Sequence, residues 1–340
     1  MIRALANWPK GLLALVVVAV VVASAWLGAS VHNAAPRVGL VDLYDLLRPP
    51  EAAPGSLAWS IKSDDRVNIL LLAYGGAGDD NPYFTDTIIV MSIRPSSRQA
   101  TLISLPRYLW VDIPAPAAGV IKGKLYSAFA LGAAADNSML RSTWRTSTGP
   151  GDLAAATVAD LIAQPINYWV AVDSSAFAAI VDAVGGVRVT IPEVLDDPSY
   201  PVGDTERTIH IHFNPGPQVL DGEHALEYAR SRMSTSETDR SMRQELVLTA
   251  LFKSVHSMHV GVAVAAALPA LAAGLRTNLR PLEMRELEEL TSSVSEGSIT
   301  RITLESSDLL EKEPSPAGDI MIARDGTFDA LRAYISRQLP

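Results

Sequence analysis

The sequence contains no cysteine. That absence removes disulfide frameworks, cysteine-ligated zinc, iron–sulfur clusters, thiol nucleophiles and a lipoprotein anchor together. Positive charge is also in short supply. Lys and Arg number 28 against 37 Asp and Glu, a net of −9, so the chain lacks the basic footprint with which general nucleic-acid binders displace counterions from phosphates. No nucleic-acid partner is expected. Charged residues are 19% and hydrophobic ones 48%, a balance that suits a folded chain rather than a disordered one, and 340 residues are enough for one large or two modest domains. The glycine-rich stretch Tyr74-Gly-Gly-Ala-Gly-Asp lacks the lysine and spacing of a P-loop, and no G-x-S-x-G elbow is present. Neither a nucleotide triphosphatase nor an esterase-type serine nucleophile is indicated.

Apolar runs of membrane length are scarce too, and the one at Gly11–Ala29 stands out. Ser24 is its only clearly polar side chain, and at about 1.5 Å rise per residue the run spans roughly 28 Å, close to the hydrocarbon core of a bilayer. Arg3 and Lys10 precede it, and Trp8 and Trp26 sit near its ends. The positive flank predicts a cytoplasmic tail at 1–10, a transmembrane anchor at 11–29 and everything beyond it outside the cell. A cleaved signal peptide with Ala23-Ser24-Ala25 as its processing site is the competing reading, less favoured because the run continues apolar to Ala29. Residues 30–65 read as a linker, interrupted by Pro36, Pro49, Pro50 and Pro54, with only Val38–Leu47 able to form a short helix. The stretch Gly261–Ala273 is too short to span a membrane and is interrupted by Pro269; it reads as a buried or amphiphile-facing helix.

From residue 66 the pattern changes. Val67–Ala73, Thr87–Ile93 and Ala100–Ser104 are short apolar runs, as expected of strands buried on both faces. Leu125–Ala135 and Leu153–Ala163 read as helices, Tyr168–Val172 as a strand, Ser174–Val184 as a helix stopped by Gly185-Gly186, and Val187–Ile191 as a strand. Alternation of this kind predicts an α/β domain whose helices cover both faces of one sheet.

An acidic chain concentrates positive charge at one place. Arg230, Arg232, Arg240 and Arg243 fall close together, with a polar loop at Met233–Thr238 between a helix running from Asp221 to Arg232 and a second helix capped by Asp239. Arg240, Arg243 and Gln244 then project from the first turns of that second helix. Guanidinium forks and free helix N-terminal N–H groups both suit phosphate oxygens; a solvated face pairing these arginines with Glu223, Glu227, Glu237 and Glu245 fits the spacing equally well. Arg107 lies just past a strand, Lys124 opens a helix, and the turn after the first strand carries Asp79, Asp80 and Asp86. Carboxylates with no histidine or cysteine beside them suit a hard ion such as Mg²⁺, although such a turn is more often only a turn. His210 and His212 alternate in Thr-Ile-His-Ile-His-Phe, which marks an exposed strand face rather than a metal site.

The segments N68-I-L-L-L-A, T85-D-T-I-I-V, S104-L-P-R, K124-L-Y-S-A-F, Y168-W-V-A-V-D, D182-A-V-G-G-V-R-V-T-I-P, Q218-V-L-D-G-E-H-A-L-E-Y-A-R-S-R and D239-R-S-M-R-Q occur in that order. Together they resemble the LytR–CpsA–Psr family of envelope glycan ligases, best over 67–253 within a domain at 66–340. The resemblance implies a three-layer α/β/α sandwich behind a single-pass anchor in a bacterial cell membrane, with a hydrophobic pocket for a polyprenyl pyrophosphate carrier. It implies a phosphotransferase that moves a carrier-linked glycan, as a glycosyl phosphate, onto peptidoglycan. By the same resemblance Arg107, Lys124, Arg230, Arg232, Arg240 and Gln244 would clamp the pyrophosphate. Asp86 would hold Mg²⁺ (or Mn²⁺), and Glu237 or Asp86 would take the acceptor's proton. Three positions depart from the family pattern: Gly75 where an aspartate is common, Phe84 where arginine is frequent, and Tyr108 where aspartate often follows the arginine. Asp79 or Asp80 would then substitute as the second carboxylate. A hydrolase of the same lipid pyrophosphate, or a non-catalytic lipid- or glycan-binding envelope protein, would share much of this pattern.

Overall fold

The apolar runs become strands because both faces of the sheet they form are covered. The computed structural model describes residues 56–76, 81–201, 207–231, 274–294 and 298–339, with six scattered positions from Arg243 to Ser254. Strands β1 (Val67–Tyr74), β2 (Thr85–Arg94) and β3 (Gln99–Ser104) form an antiparallel meander. β6 (Tyr168–Asp173) and β11 (Leu275–Thr277) extend it on the β1 side, while β12 (Ile299–Thr303) joins β3 in parallel, giving a mixed six-stranded sheet in the order β11-β6-β1-β2-β3-β12. The segment after residue 256, which carries no motif, thus supplies both edge strands.

The described residues divide into two units. The larger contains the described parts of Pro49–Gly75, Asn81–Val172 and Arg276–Pro340; the smaller contains those of Gly76–Asp80 and Asp173–Leu275. In the larger unit α2 (Ser127–Ala133) packs on α3 (Gly149–Ile162), and α3 also meets α7 (Asp329–Gln338). Leu70, Leu72, Val90 and Ile103 of the sheet form one buried cluster with Phe129, Leu153, Val158, Trp169, Leu331 and Ile335; each such side chain contributes about 1.5–3 kcal/mol by leaving water. Gly151 is required here, because a Cβ on it would lie 2.1 Å from the Trp169 indole. The opposite-face residues Ile69, Leu71, Met91 and Ile93 are buried as well. Leu57 of α1 (Leu57–Ser63) and Leu287 of α6 (Pro281–Ser292) are also buried, and α1 packs on β1 and α6.

Helix α1 lies in the stretch read above as linker. Ser56 caps it by accepting from the Trp59 N–H at 3.2 Å, and Asp64 ends it in the left-handed region with φ 58°. Asp64 then accepts from the Ser96 N–H at 2.8 Å and its hydroxyl at 2.7 Å, tying the helix to the β2–β3 turn. The helix expected at Leu125–Ala135 is shorter, because Leu125 donates its N–H to Leu109 at 2.8 Å and Ala134 has already turned to extended backbone. Two further hairpins complete the larger unit: β4 (Trp110–Ile113) with β5 (Ile121–Lys124), and β13 (Leu310–Glu313) with β14 (Ile320–Ala323).

The smaller unit holds α4 (Ser174–Ala183), which packs on α5 (Gly222–Arg230), and two strand pairs: β7 (Val187–Ile191) with β10 (Gly216–Leu220), and β8 (Leu195–Pro201) with β9 (Thr208–Phe213). Asp173 caps α4 by accepting from the Ala176 N–H at 2.8 Å. Gly76, at φ +84°, comes so close that a Cβ there would meet the Asp173 Cβ at 2.8 Å. No helix among the described residues is long and apolar enough to cross a membrane. The Gly11–Ala29 run, the Val38–Leu47 segment and the Gly261–Ala273 stretch lie outside the described residues.

Candidate active site

Three segments of the larger unit are stitched together where β2 begins. Leu105, after β3, donates its N–H to Ile88 at 3.0 Å, and the turn through Pro106 closes with Leu109 N–H to the Pro106 carbonyl at 3.2 Å. The end of β5 returns to this turn: Tyr126 N–H donates to the Arg107 carbonyl at 3.1 Å, and the Thr85 N–H donates to the Tyr126 carbonyl at 3.3 Å. Asp86, Arg107 and Lys124 therefore stand on a frame of backbone hydrogen bonds. Such a frame allows charges to be held in place before a ligand arrives.

The side chains converge on that frame. Arg107 donates from one terminal nitrogen to Asp86 Oδ1 and from the other to the Tyr108 hydroxyl, while its guanidinium carbon lies 4.5 Å from the Tyr108 ring centre. Lys124 is buried, donates from Nζ to the Ala317 carbonyl at 2.7 Å, and lies 5.2 Å from the Tyr108 ring and 5.9 Å from that of Tyr126. Phe84 packs on Tyr126 at 4.5 Å between centres, and Tyr126 meets Tyr108 edge-on at 5.9 Å. Burial, with Tyr108 nearby, pushes the Tyr126 phenol up, and Arg107 opposes this in part. Tyr126 therefore stays protonated at neutral pH.

Two departures from the family pattern thus have a structural meaning. Phe84 and Tyr108 do not leave gaps. With Tyr126 they form an aromatic wall on whose faces two cations rest, an arrangement that strengthens as water is excluded. Asp86 and Arg107, both partly exposed at 29% and 12% of the side chain, lie beside this wall. Sequence reading missed a third cation at this end of the sheet. Arg276 of β11 lies 5.3 Å from the ring of Tyr83, which stacks on Tyr74 at 6.2 Å. Its neighbourhood carries no motif that could have found it.

The other expected site residues divide into two groups. Arg230 occupies the last turn of α5 in the smaller unit, a helix capped by Asp221, which accepts from the His224 N–H at 2.9 Å. Asp79, Asp80, Arg232, Glu237, Arg240 and Gln244 lie outside the described residues. Arg243 is buried and donates from Nε to the Tyr228 carbonyl at 2.8 Å and from a terminal nitrogen to the Ser231 carbonyl at 2.6 Å. It therefore satisfies acceptors at the end of α5, a holding role for the helix that presents Arg230.

A model of the LytR_cpsA_psr family matches residues 48–318. The chain belongs to the LytR–CpsA–Psr family. Among curated proteins it is 27% identical over 227 residues to the polyisoprenyl-teichoic acid–peptidoglycan teichoic acid transferase TagV of Bacillus subtilis (strain 168), a match covering 66% of this chain and 52% of TagV. It is 28% identical over 256 residues to the TagU transferase of Bacillus mycoides (strain KBAB4), covering 74% of this chain and 72% of TagU. The chain thus spans about half the length of the first relative and nearly three quarters of the second. The crystal structure of B. subtilis TagV superposes with a TM-score of 0.56 at 24% identity, covering 81% of this chain and 97% of that one. The fold is accordingly the α/β fold of this family, with a mixed central sheet.

Proposed function

We propose that this LytR–CpsA–Psr protein is a membrane-anchored phosphotransferase that moves a glycan, as its glycosyl phosphate, from a polyprenyl pyrophosphate carrier to a hydroxyl of peptidoglycan. The observation that carries the reading is the placement of two cations, Arg107 paired with Asp86 and Lys124 over the Tyr108 ring, on one hydrogen-bonded frame. Phosphoryl transfer asks little covalent chemistry of a protein; it asks for cations held where charge spreads in the transition state and for in-line placement of the two oxygens. Arg107 and Lys124 supply the cations, and the aromatic wall holds them while limiting water. Arg230, Arg232, Arg240 and Gln244 complete the clamp in this reading, and Glu237 or Asp86 accepts the acceptor's proton. The teichoic acid transfer to peptidoglycan named for the TagU and TagV relatives makes a teichoic-acid-like donor the first to try.

The donor set suits Mg²⁺. Asp86 is a partly exposed carboxylate with more acceptor positions than its bond to Arg107 uses, and Mg²⁺ usually takes only one or two protein carboxylates beside substrate phosphates. Asp86, with Asp79 or Asp80, would hold the ion, which when bound supplies charge neutralisation for the pyrophosphate. The finer architecture in this reading is a tail at 1–10, an anchor at 11–29, a linker from 30, and an external three-layer α/β/α domain. Titration of the detergent-solubilised full chain with a short-chain polyprenyl pyrophosphate tests the clamp. Arg107→Ala and Lys124→Ala should each weaken binding by about tenfold or more, equivalent to about 1.4 kcal/mol; unchanged affinity in both would remove this corner from the pyrophosphate site.

A further inference from the structure

The hairpin formed by β8 and β9 places three potential metal ligands on one exposed face. Asp196 lies directly opposite His212 in the strand register, and His210, two residues before His212 on the same strand face, is its diagonal neighbour. The result is that Asp196 Oδ1 lies 2.8 Å from His210 Nε2 and 2.8 Å from His212 Nδ1, with one ligand atom of each residue within 4.8 Å of the others. We propose that Asp196, His210 and His212 bind a divalent transition-metal ion, Zn²⁺ by preference, in a site separate from the transfer chemistry.

Geometry supports the assignment first. Tetrahedral zinc with bonds of about 2.0–2.2 Å holds its donors about 3.3 Å apart. The two nitrogen–oxygen separations of 2.8 Å therefore need to open by only about half an ångström, within reach of side-chain torsions at an exposed site. Two nitrogens and one carboxylate oxygen form the mixed donor set that suits zinc better than Mg²⁺ or Ca²⁺. The two imidazoles are crossed at 80°, with ring centres 6.5 Å apart, so they approach the shared carboxylate from different directions. All three side chains are about half exposed, which leaves a fourth position open to solvent.

An outer partner is in place for one ring. His212 Nε2 lies 3.3 Å from Asn214 Oδ1 while its Nδ1 faces Asp196. With a metal ion on Nδ1, the Nε2–H donates to Asn214, which then fixes the orientation of the ring. The alternating histidines alone give only an exposed strand; Asp196, fourteen residues earlier, is what the register adds.

Binding to the folded hairpin would clip two strands together, since ligands that bind only the folded state stabilise it by mass action. The test is Co²⁺ titration of the metal-stripped, detergent-solubilised full chain, followed by visible absorption. Wild type should take up one equivalent with the strong absorption of a tetrahedral site, and Zn²⁺ should displace it. His210→Ala, His212→Ala and Asp196→Asn should each weaken binding by about a hundredfold or more, and Asn214→Ala by about tenfold. Zn²⁺ should raise the thermal midpoint of wild type but not of the His210→Ala/His212→Ala double variant, whose metal-free midpoint serves as the folding control. Cobalt uptake that is absent, octahedral, or unchanged in the double variant would overturn the site, the last result assigning the ion to others of the six histidines.

Discussion

Replacing Arg107 by lysine keeps the charge and removes the fork. In the wild-type chain the guanidinium makes two bonds at once, to Asp86 and to the Tyr108 hydroxyl, and stacks on the Tyr108 ring at 4.5 Å. A lysine ammonium can reach one of those oxygens but cannot stack as a plane or present two parallel donors. One charge-assisted hydrogen bond is worth about 1.5–3 kcal/mol. Because the side chain is mostly buried but the pair is partly open to water, the stability loss should fall at the low end of that range. The loss in transfer should be larger. A preorganised donor that meets charge only in the transition state contributes about 2.7–4 kcal/mol, or roughly a hundred- to a thousandfold in rate. The assay is transfer from a lipid-linked donor to peptidoglycan, run beside thermal unfolding of the same preparation. A variant slower by roughly a hundred- to a thousandfold, with a midpoint lowered by only a few degrees, is expected; a lysine variant that transfers at close to the wild-type rate would show that Arg107 serves only to pair Asp86.

Chelation should abolish transfer and Mg²⁺ or Mn²⁺ should restore it, while Asp86→Asn, which keeps an oxygen acceptor for Arg107, should remain slow at any Mg²⁺ concentration; an Asn variant as active as wild type in chelator would refute a metal role for Asp86. Glu227, buried on α5, has its carboxyl pushed up chiefly by desolvation, with Glu223 and Asp221 adding to this and His224 opposing it. A carboxyl with a raised folded-state pKa costs stability once pH rises above its unfolded value. Glu227→Gln should therefore melt higher than wild type at neutral pH, and the gain should shrink to nothing below about pH 4; a constant difference across that range would assign the effect to packing. Gly151→Ala puts a methyl group where the Trp169 indole now lies 2.1 Å away, and overpacking of this kind should cost about 1–3 kcal/mol in denaturant unfolding. A neutral outcome would mean the helix can retreat from the sheet.

Much of the sheet is visible in the sequence because its central strands are buried on both faces. Val67–Tyr74 is buried at seven of eight positions, so its run of apolar residues can be read without knowing its partners. The short hairpins are not. Trp110–Ile113 and Ile121–Lys124 are four residues each, exposed or half-exposed at half or more of their positions, and such segments carry too few residues for a period to emerge. Helix α1 was hidden by the prolines before it, since its one clear signal is a serine cap at Ser56 followed by a single buried leucine, Leu57. At the candidate site, Asp86, Arg107 and Lys124 could be named from ordered motifs: Asp86 stands at the start of an apolar strand, Arg107 just past another, and Lys124 at the end of β5, three residues before the helix it was expected to open. Tyr108 and Phe84 were seen only as departures from a pattern. Their packing around Tyr126 depends on the return of β5 to the β3–β4 turn, a long-range contact that no local spacing encodes. The Asp196–His212 pairing was invisible for the same reason: strand register across a bulge is fixed by the folded hairpin.

The central claim is that the chain transfers a phosphoryl group between a lipid carrier and a wall acceptor. The most direct test follows the phosphorus of the glycan-side phosphate, labelled in a polyprenyl pyrophosphate-linked teichoic-acid donor and incubated with the full chain, with and without peptidoglycan. Transfer requires the label to appear in peptidoglycan as a phosphodiester, with polyprenyl monophosphate released in equal amount and little product when the acceptor is omitted. Label that appears only as a free glycan phosphate, at the same rate whether or not peptidoglycan is present, would contradict the account and identify a hydrolase.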